Sequence, residues 1–575
     1  MKISFRFAAT PASNATRAQR RRSLFLAAVG IAVLPLAWHG ASCGHDFNFH
    51  LESWLETVRH WHEGVLYSHW AASANYGTGE PRFVFYPPLS WMLGGLLGAL
   101  LPWTWVPLIF SLLTLLGLGW SFFTMAREWM PEDNAALAAC VYVLNPYILF
   151  VAYERTAYGE LLGGVWMPLL VLFALRKSPS LLPLSVVIAA LWLTNAPAAV
   201  MGCYALVLIV IVAAITEHRW ALLLRSAGAL LLGLGLACFY LVPAIYEQRW
   251  VEITRAISSG MRVEDSFLFG YTGETFHDQV LHTASWIAVL LMASTAIAAW
   301  LSVKRRSSLW TPLVALAATF VLLLPFSDPV WRYLPELRYL QFPWRWLLVL
   351  SLVLAALAGL ALRGEADTRR AISLRALVIL LLAIGMSAFT ATHFWQPCDE
   401  EDNVRAQVAA FHDDGFAGTD EYTTGTADNG DIQQHLPPIR IIAAPDGDEA
   451  DSSVQENPEW NAEAADKVPA EVRIERWQSE RMAATVTTSA PGYAVLRLMD
   501  YPAWRIRVNG SSIEARAKRD DGLIAFPLHG GQNHIDVQYV ATTDTWLGRA
   551  LSFASLLLWL GLAWREKRGR KLQVL

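Results

Sequence analysis

Apolar runs of about membrane length recur along most of this chain, near residues 23–41, 105–125, 134–152, 161–175, 181–197, 199–215, 222–242, 283–302, 309–326, 344–363, 374–393 and 546–564. A helix of about 20 apolar residues crosses the hydrocarbon core of a bilayer. Twelve such runs therefore predict an α-helical polytopic membrane protein with about twelve transmembrane helices. Only 16% of the residues are charged, against about 25% in soluble chains.

Charge sets the expected orientation. "RAQRRR" precedes the first run, and no small-residue cleavage site follows. Residues 1–22 therefore read as a basic cytoplasmic N-terminus ahead of a retained first span. Basic loops at 176–177, 304–306, 363–370 and 565–571 belong on the same side. A thirteenth apolar stretch, Pro88 to Trp103, is short and rich in glycine. Counting it as a span puts the N-terminus and these loops on opposite sides, so it is expected to be re-entrant or interfacial. Both termini are then cytoplasmic, with 565–575 a basic tail. The membrane domain runs over 23–393 with a long first external loop at 42–104, and 546–564 is the last span.

Residues 394–545 read as an extracytoplasmic domain. They hold 27 acidic and 12 basic residues, while the rest of the chain carries a net +11. That distribution argues against nucleic acid as a partner. The stretch 443–460 has the composition of a flexible linker. Beyond it "AEVRIERW", "RMAATVTTS", "YAVLRLMD", "WRIRVNG", "IEARAK", "LIAFPL" and "HIDVQYV" alternate as strands do, separated by turns such as "NG". They predict a small antiparallel β-sandwich.

Ionisable residues gather at the outer ends of the spans. The first loop opens "GHDFNFH". From Phe47, apolar residues at Leu51, Trp54, Leu55, Val58 and Trp61 give the spacing of an amphipathic helix lying along the membrane surface. Asp46 falls at its N-cap. It either caps that helix or stands at the lipid–water boundary as a reactive carboxylate. In the second external loop Glu154, Arg155 and Glu160 crowd together. Charges so close to hydrocarbon pair locally or have a task. Arg332, Arg338 and Arg345 come to the same outer face, where a guanidinium fork suits phosphate, although snorkelling to ordinary headgroups is the alternative. His45, His50, His60, His62 and His69 match no standard metal spacing. Cys140, Cys203 and Cys238 sit in apolar runs, whereas Cys43 and Cys398 each follow a span on the oxidising side. A disulfide between these two would tie the first loop to the root of the β-domain, provided their Cα atoms lie within about 7 Å.

A long first loop that opens with an acid and ends in "YPP", a short second loop with Arg and an acid, and a final soluble domain resemble the GT-C superfamily of polyprenyl-phosphate-sugar glycosyltransferases, which includes oligosaccharyltransferases, protein mannosyltransferases and aminoarabinose transferases. "FYPPLSWMLG", "ERTAYGEL" and "QFPWRWLL" more closely resemble bacterial membrane proteins labelled "6-pyruvoyl-tetrahydropterin synthase-related". No pterin-binding or zinc pattern accompanies that label here. The resemblance implies an inverting glycosyltransferase of the bacterial inner membrane, working among membrane lipids. It would move a sugar from a polyprenyl-phosphate donor to an extracytoplasmic acceptor. Asp46 would deprotonate or orient the acceptor. Arg155 and Arg345, with Arg338, would hold the donor phosphate, and Glu154 and Glu160 are auxiliary acids. A divalent cation is the one cofactor such a resemblance brings. Oligosaccharyltransferases follow their second-loop Arg with a DxE-like pair; here Arg155 is followed by Glu160 alone, at shorter spacing, so no metal ligand is assigned. "YPAWRIRVNGSSIEA" resembles a membrane-proximal β-domain of proteins implicated in decorating cell-wall polymers, which would guide the acceptor. The rival readings are a non-enzymatic transporter or flippase, or an assembly factor for lipid-linked cell-envelope glycans. No internal repeat supports transport, and the charges gather at one face rather than in mid-span.

Overall fold

Apolar length decides which helices can cross a bilayer. The computed structural model describes residues 14–176, 180–305, 307–362, 369–424, 427, 432–443, 468–517, 519 and 521–572. Among these, eight helices are long and apolar enough to span, or ten if each of two bent pairs is one span. The other two expected spans form shorter apolar segments. Asn14–Ala32 begins three residues before the arginine run, and Leu34–His39 follows it at Pro35. Leu181–Thr194 stops after 14 residues at Asn195, whose side chain caps the next helix, Ala196–Thr216, by accepting from Ala198 N.

The two bent pairs have local causes. Glu132–Val143 and Pro146–Tyr153 meet at 41°. Asn145 caps the second helix and Pro146 takes its first position, where a missing N–H costs nothing. The run expected to span as 309–326 instead turns by 101° between Trp310–Leu323 and Pro325–Tyr333, because Pro325 cannot continue the ladder. Arg21 pairs with Glu132 and Asp133 at 2.5 and 2.8 Å. The first helix and Glu132–Tyr153 therefore start at one end of the bundle and finish together at the other.

The first loop is built differently from the sequence expectation. Helix Phe47–His62 does not lie along lipid. Ten of its residues are buried, including Glu52, Glu56 and His60 from its polar face. Its apolar side packs on helix Pro88–Leu100, where Gly94 and Gly95 leave room for Trp54 and Thr57; a Cβ at either would come within 2.1 or 2.6 Å of them. Its polar side is covered by the rest of the loop: Ser73 N donates to Glu56, and Arg82 donates to Glu52 and Ser53. Helix Pro88–Leu100 has 13 residues, about 20 Å at 1.5 Å per residue, short of a core of about 30 Å. It begins just after Phe85, which stacks on Tyr422, and ends before Trp103–Trp105, which lies against Val404–Asp413.

Eight strands follow: β1 (Ile439–Ile442), β2 (Ala470–Trp477), β3 (Arg481–Thr488), β4 (Gly492–Met499), β5 (Trp504–Val508), β6 (Ser511–Ile513), β7 (Leu523–Leu528) and β8 (Gly531–Tyr539). They form two antiparallel sheets, ordered β1-β4-β7 and β2-β3-β8-β5-β6. Residues of both sheets, such as Leu496, Phe526, Val486, Ile506 and Val537, share one core. Asn509 and Gly510 both have positive φ in the β5–β6 hairpin, as a two-residue turn demands. β1 was not anticipated, and "IEARAK" supplies only the end of β6 and a bridge at Ala517. The expected linker lies outside the described residues except for Ala443, as do 1–13, 363–368 and 573–575. The sandwich sits on the first loop: Trp70 packs among Tyr501, Trp504 and Tyr539, and Met499 N donates to Thr78 O at 2.9 Å.

Candidate active site

Three distant pieces of chain meet where the first helix ends. Ser42 Oγ donates to Tyr153 O, Asp46 N donates to Arg155 O at 2.9 Å, and Cys43 N donates to Gln396 O at 3.1 Å. Gly44 permits this approach, since a Cβ there would lie 2.1 Å from Glu154 O. Cys43 and Cys398 are bonded, with Cα atoms 5.0 Å apart. Thr156, at φ 47°, turns the chain between helices Pro146–Tyr153 and Tyr158–Gly163 and aims Arg155 inward.

An ion cluster fills the junction. Arg155 Nη1 donates to Glu160 Oε2 at 2.5 Å, and its Nη2 lies 3.5 Å from Asp46 Oδ2. Tyr147 donates to Glu160 Oε1 at 2.6 Å. Arg345 Nε pairs with Glu160 Oε2 at 3.6 Å, too far for a hydrogen bond, and is buried without a hydrogen-bond partner. Arg155 and Glu160 are buried, and the Arg345 side chain is 11% exposed. The Asp46 side chain is 39% exposed, the one member of the cluster well open to solvent. Both guanidinia lie over Phe342, at 6.0 and 5.1 Å. Burial works against the charge on Arg155, but Glu160 and Asp46 outweigh it and hold its pKa above the ordinary value.

Asp46 is at the N-cap position of Phe47–His62, yet its side chain makes no capping hydrogen bond. The capping role considered for it is therefore not the one it plays; the carboxylate is turned to Arg155. Beside it His45 stacks on Phe276 at 4.3 Å. Burial lowers His45 to about 4, against the pull of Asp46, so this imidazole is neutral at pH 7. Among the described residues no group of three or more His, Cys, Asp or Glu could hold a metal ion.

The other expected residues divide. Glu154 faces away from the cluster; its Oε2 accepts from Gln396 Nε2 at 2.6 Å, and burial raises its pKa to about 7. Arg338 does not join the site: it is exposed and lies over Tyr339 at 4.8 Å. Arg332 pairs with Asp328 and Glu264. Tyr147 and Gln396 escaped sequence reasoning. An Asn-Pro break inside an apolar run, here Asn145-Pro146, was the available signal for Tyr147; Gln396 carries none. Also unforeseen is the buried Arg82, which donates to Glu80 at 2.6 Å, Glu52 at 3.2 Å and Thr419 at 3.3 Å and so pins the first loop to the segment after Val404–Asp413.

Against known proteins, a family model described as "6-pyruvoyl-tetrahydropterin synthase related domain; membrane protein" matches residues 83–395. The match includes Arg155, Glu160 and Arg345 and leaves out Asp46. No curated protein matches the chain. Two solved structures of arabinofuranosyltransferase AftD from Mycobacteria, one of them a variant, are similar at a TM-score of 0.45 and 12% identity. The alignments cover 93% of this chain and 61% and 58% of those. The chain thus spans about three fifths of their length.

Proposed function

The chain belongs to the 6-pyruvoyl-tetrahydropterin synthase related family of membrane proteins, and we propose that it is an integral-membrane glycosyltransferase that moves a sugar from a polyprenyl-phosphate donor to an acceptor on the extracytoplasmic face. One observation carries this reading. Two carboxylates and two guanidinia converge at one end of the spans, and only Asp46 is well exposed. Glu160 and Arg345 are each the third residue of a span, Tyr158–Leu175 and Pro343–Ala361. A lipid-borne phosphate meets protein at that height. A transporter would call for charges deeper in the bilayer.

The contacts divide the roles. Arg155 is occupied by Glu160 and Asp46, so it positions the carboxylate rather than the phosphate. Arg345 has a buried Nε that still lacks a hydrogen-bond partner, so it is the phosphate ligand. Glu160, held by Tyr147, fixes Arg155 and faces Arg345. In the reaction the acceptor hydroxyl gives its proton to Asp46 as its oxygen attacks the anomeric carbon from the face opposite the phosphate. The bond from that carbon to the phosphate oxygen breaks, and polyprenyl phosphate leaves with the electron pair. Arg345 stabilises the charge that develops there. The anomeric configuration inverts.

The test is transfer of radiolabelled sugar from polyprenyl-phosphate donors by the full chain in proteoliposomes. Arg345→Gln should lower transfer at least about a hundredfold, the scale of losing one donor to a developing anion. Transfer unchanged in Arg345→Gln, or absent from every such donor with the wild type, overturns the reading.

A further inference from the structure

We propose that a groove at the foot of the β-sandwich, between Arg249 and Arg505, binds the phosphate headgroup of an anionic membrane lipid. This site is separate from the Asp46 cluster and does not rest on the glycosyltransferase reading. The groove has a volume of about 780 Å³, within the range of about 300–1,000 Å³ in which small ligands are held. One wall is Arg249 and Trp250, the last two residues of the span Ala221–Trp250; the other is β5 with residues 514–516. Val540, also in the lining, comes three residues before the span Thr543–Arg568. The groove therefore opens where two spans leave the bilayer.

Its surroundings suit acyl chains. Next to Arg249, Ile245 is 69% and Tyr246 42% exposed; on the other span Trp546 is 63% exposed. Aromatic side chains so placed anchor at the headgroup level. A soluble glycan would have no use for that apolar flank.

Its charge suits phosphate. The domain above is acidic, yet three arginines line this groove. Arg516 is taken up by Asp500 and the carbonyls of Trp504 and Tyr501. Arg249 is held in place by its Nε bond to Tyr246 O at 2.9 Å and by stacking 3.6 Å over the Tyr246 ring. Its terminal nitrogens make no hydrogen bond or ion pair among the described residues, and the residue lines the groove. Arg505 projects from the exposed side of β5. Against these two cations the described residues of the lining hold only Glu514 beyond the paired Asp500. Two guanidinia at a membrane boundary form charge-assisted hydrogen bonds with a lipid phosphate.

The full chain, purified in neutral detergent, should retain phosphatidylglycerol at least tenfold better than phosphatidylcholine, read by native mass spectrometry. Arg249→Gln with Arg505→Gln should abolish that preference, and the two Lys substitutions should restore part of it. A double variant with undiminished preference overturns the proposal. So does inorganic phosphate that displaces the lipid at equal concentration, since the site would then take a free anion. Should the double variant fold poorly, Arg505→Gln alone, on an exposed strand face, should lose several-fold. In the wild type a photoactivatable phosphatidylglycerol should label residues 245–250 or 500–516, and labelling confined to other segments refutes the site.

Discussion

Asp46→Asn exchanges one oxygen for an NH₂ and keeps the shape of the side chain. Its effect on stability can be bounded from the contacts. Asp46 makes no capping hydrogen bond, and its ion pair is 3.5 Å long with a 39% exposed carboxylate. The long pair to an exposed carboxylate is solvent-screened and falls near the range of about 0–1 kcal/mol, because the buried Arg155 keeps Glu160 as its partner. In a large domain about 1 kcal/mol moves Tm by roughly 2–4 °C. The effect on rate should be far larger. Losing a general base costs about 10²–10⁴-fold, or about 2.7–5.5 kcal/mol of barrier at 1.36 kcal/mol per tenfold. Initial rates of sugar transfer in proteoliposomes and the Tm of the same preparation should therefore separate: the rate falls by at least about a hundredfold while Tm stays within about 4 °C. An unchanged rate removes Asp46 from the chemistry. A lost rate with a Tm lower by tens of degrees would make the residue architectural and the reasoning wrong.

Glu160 should behave in the opposite sense. It is 2% exposed and holds Arg155 and Tyr147, so Glu160→Gln leaves a buried guanidinium short of its partner and should cost about 3–5 kcal/mol in unfolding by denaturant titration. Glu154 gives a pH signature. Its folded pKa is raised from 4.5 to about 7, so its contribution is complete below about pH 4.5 and is lost as pH rises through about 7. Glu154→Gln, which imitates the protonated form, should flatten the decline of Tm across that window. Cys43→Ser should lower Tm and leave Cys398 open to alkylation; mass spectrometry of the non-reduced wild type should find the two peptides joined. Reporter fusions should place residues 303–308 and both termini in the cytoplasm and the β-sandwich outside; a periplasm-active fusion after Leu575 would reverse the orientation.

The β-sandwich was legible because a strand repeats every two residues and declares its inner face locally. Six of its strands coincide with the alternating stretches, and burial alternates clearly along β3, β5 and β8. Apolar spans were legible for the same local reason, except where Pro35, Pro146 and Pro325 break them. Helix Phe47–His62 was legible as a helix but not in its surroundings. An amphipathic pattern shows that one face is covered; it does not tell lipid from Pro88–Leu100, nor reveal that Arg82 and Thr419 close over the other face. Arg155 and Glu160 were legible as neighbours because they are five residues apart. Arg338 and Arg345 looked alike in sequence. Their fates differ because Gln341, at φ 63°, turns the chain between them, and only Arg345 begins a buried helix.

The contacts of Gln396 imply an order of assembly. Asp46 lies three residues after Cys43, whose partners Gln396 and Cys398 are far downstream, the disulfide at a separation of 355. At about 5–20 residues per second, roughly 20–70 s of synthesis separate the two. During that interval the first loop can reach residues 153–155 but lacks its covalent tie. The disulfide cannot form until the chain beyond helix Arg369–His393 has been made. A product truncated before Gln396 would contain Asp46, Arg155, Glu160 and Arg345 and keep the ties of the first loop to residues 153–155, but lack the disulfide and the Gln396 contacts. Competence would then arrive late in biogenesis, after nearly all of the membrane part is in place.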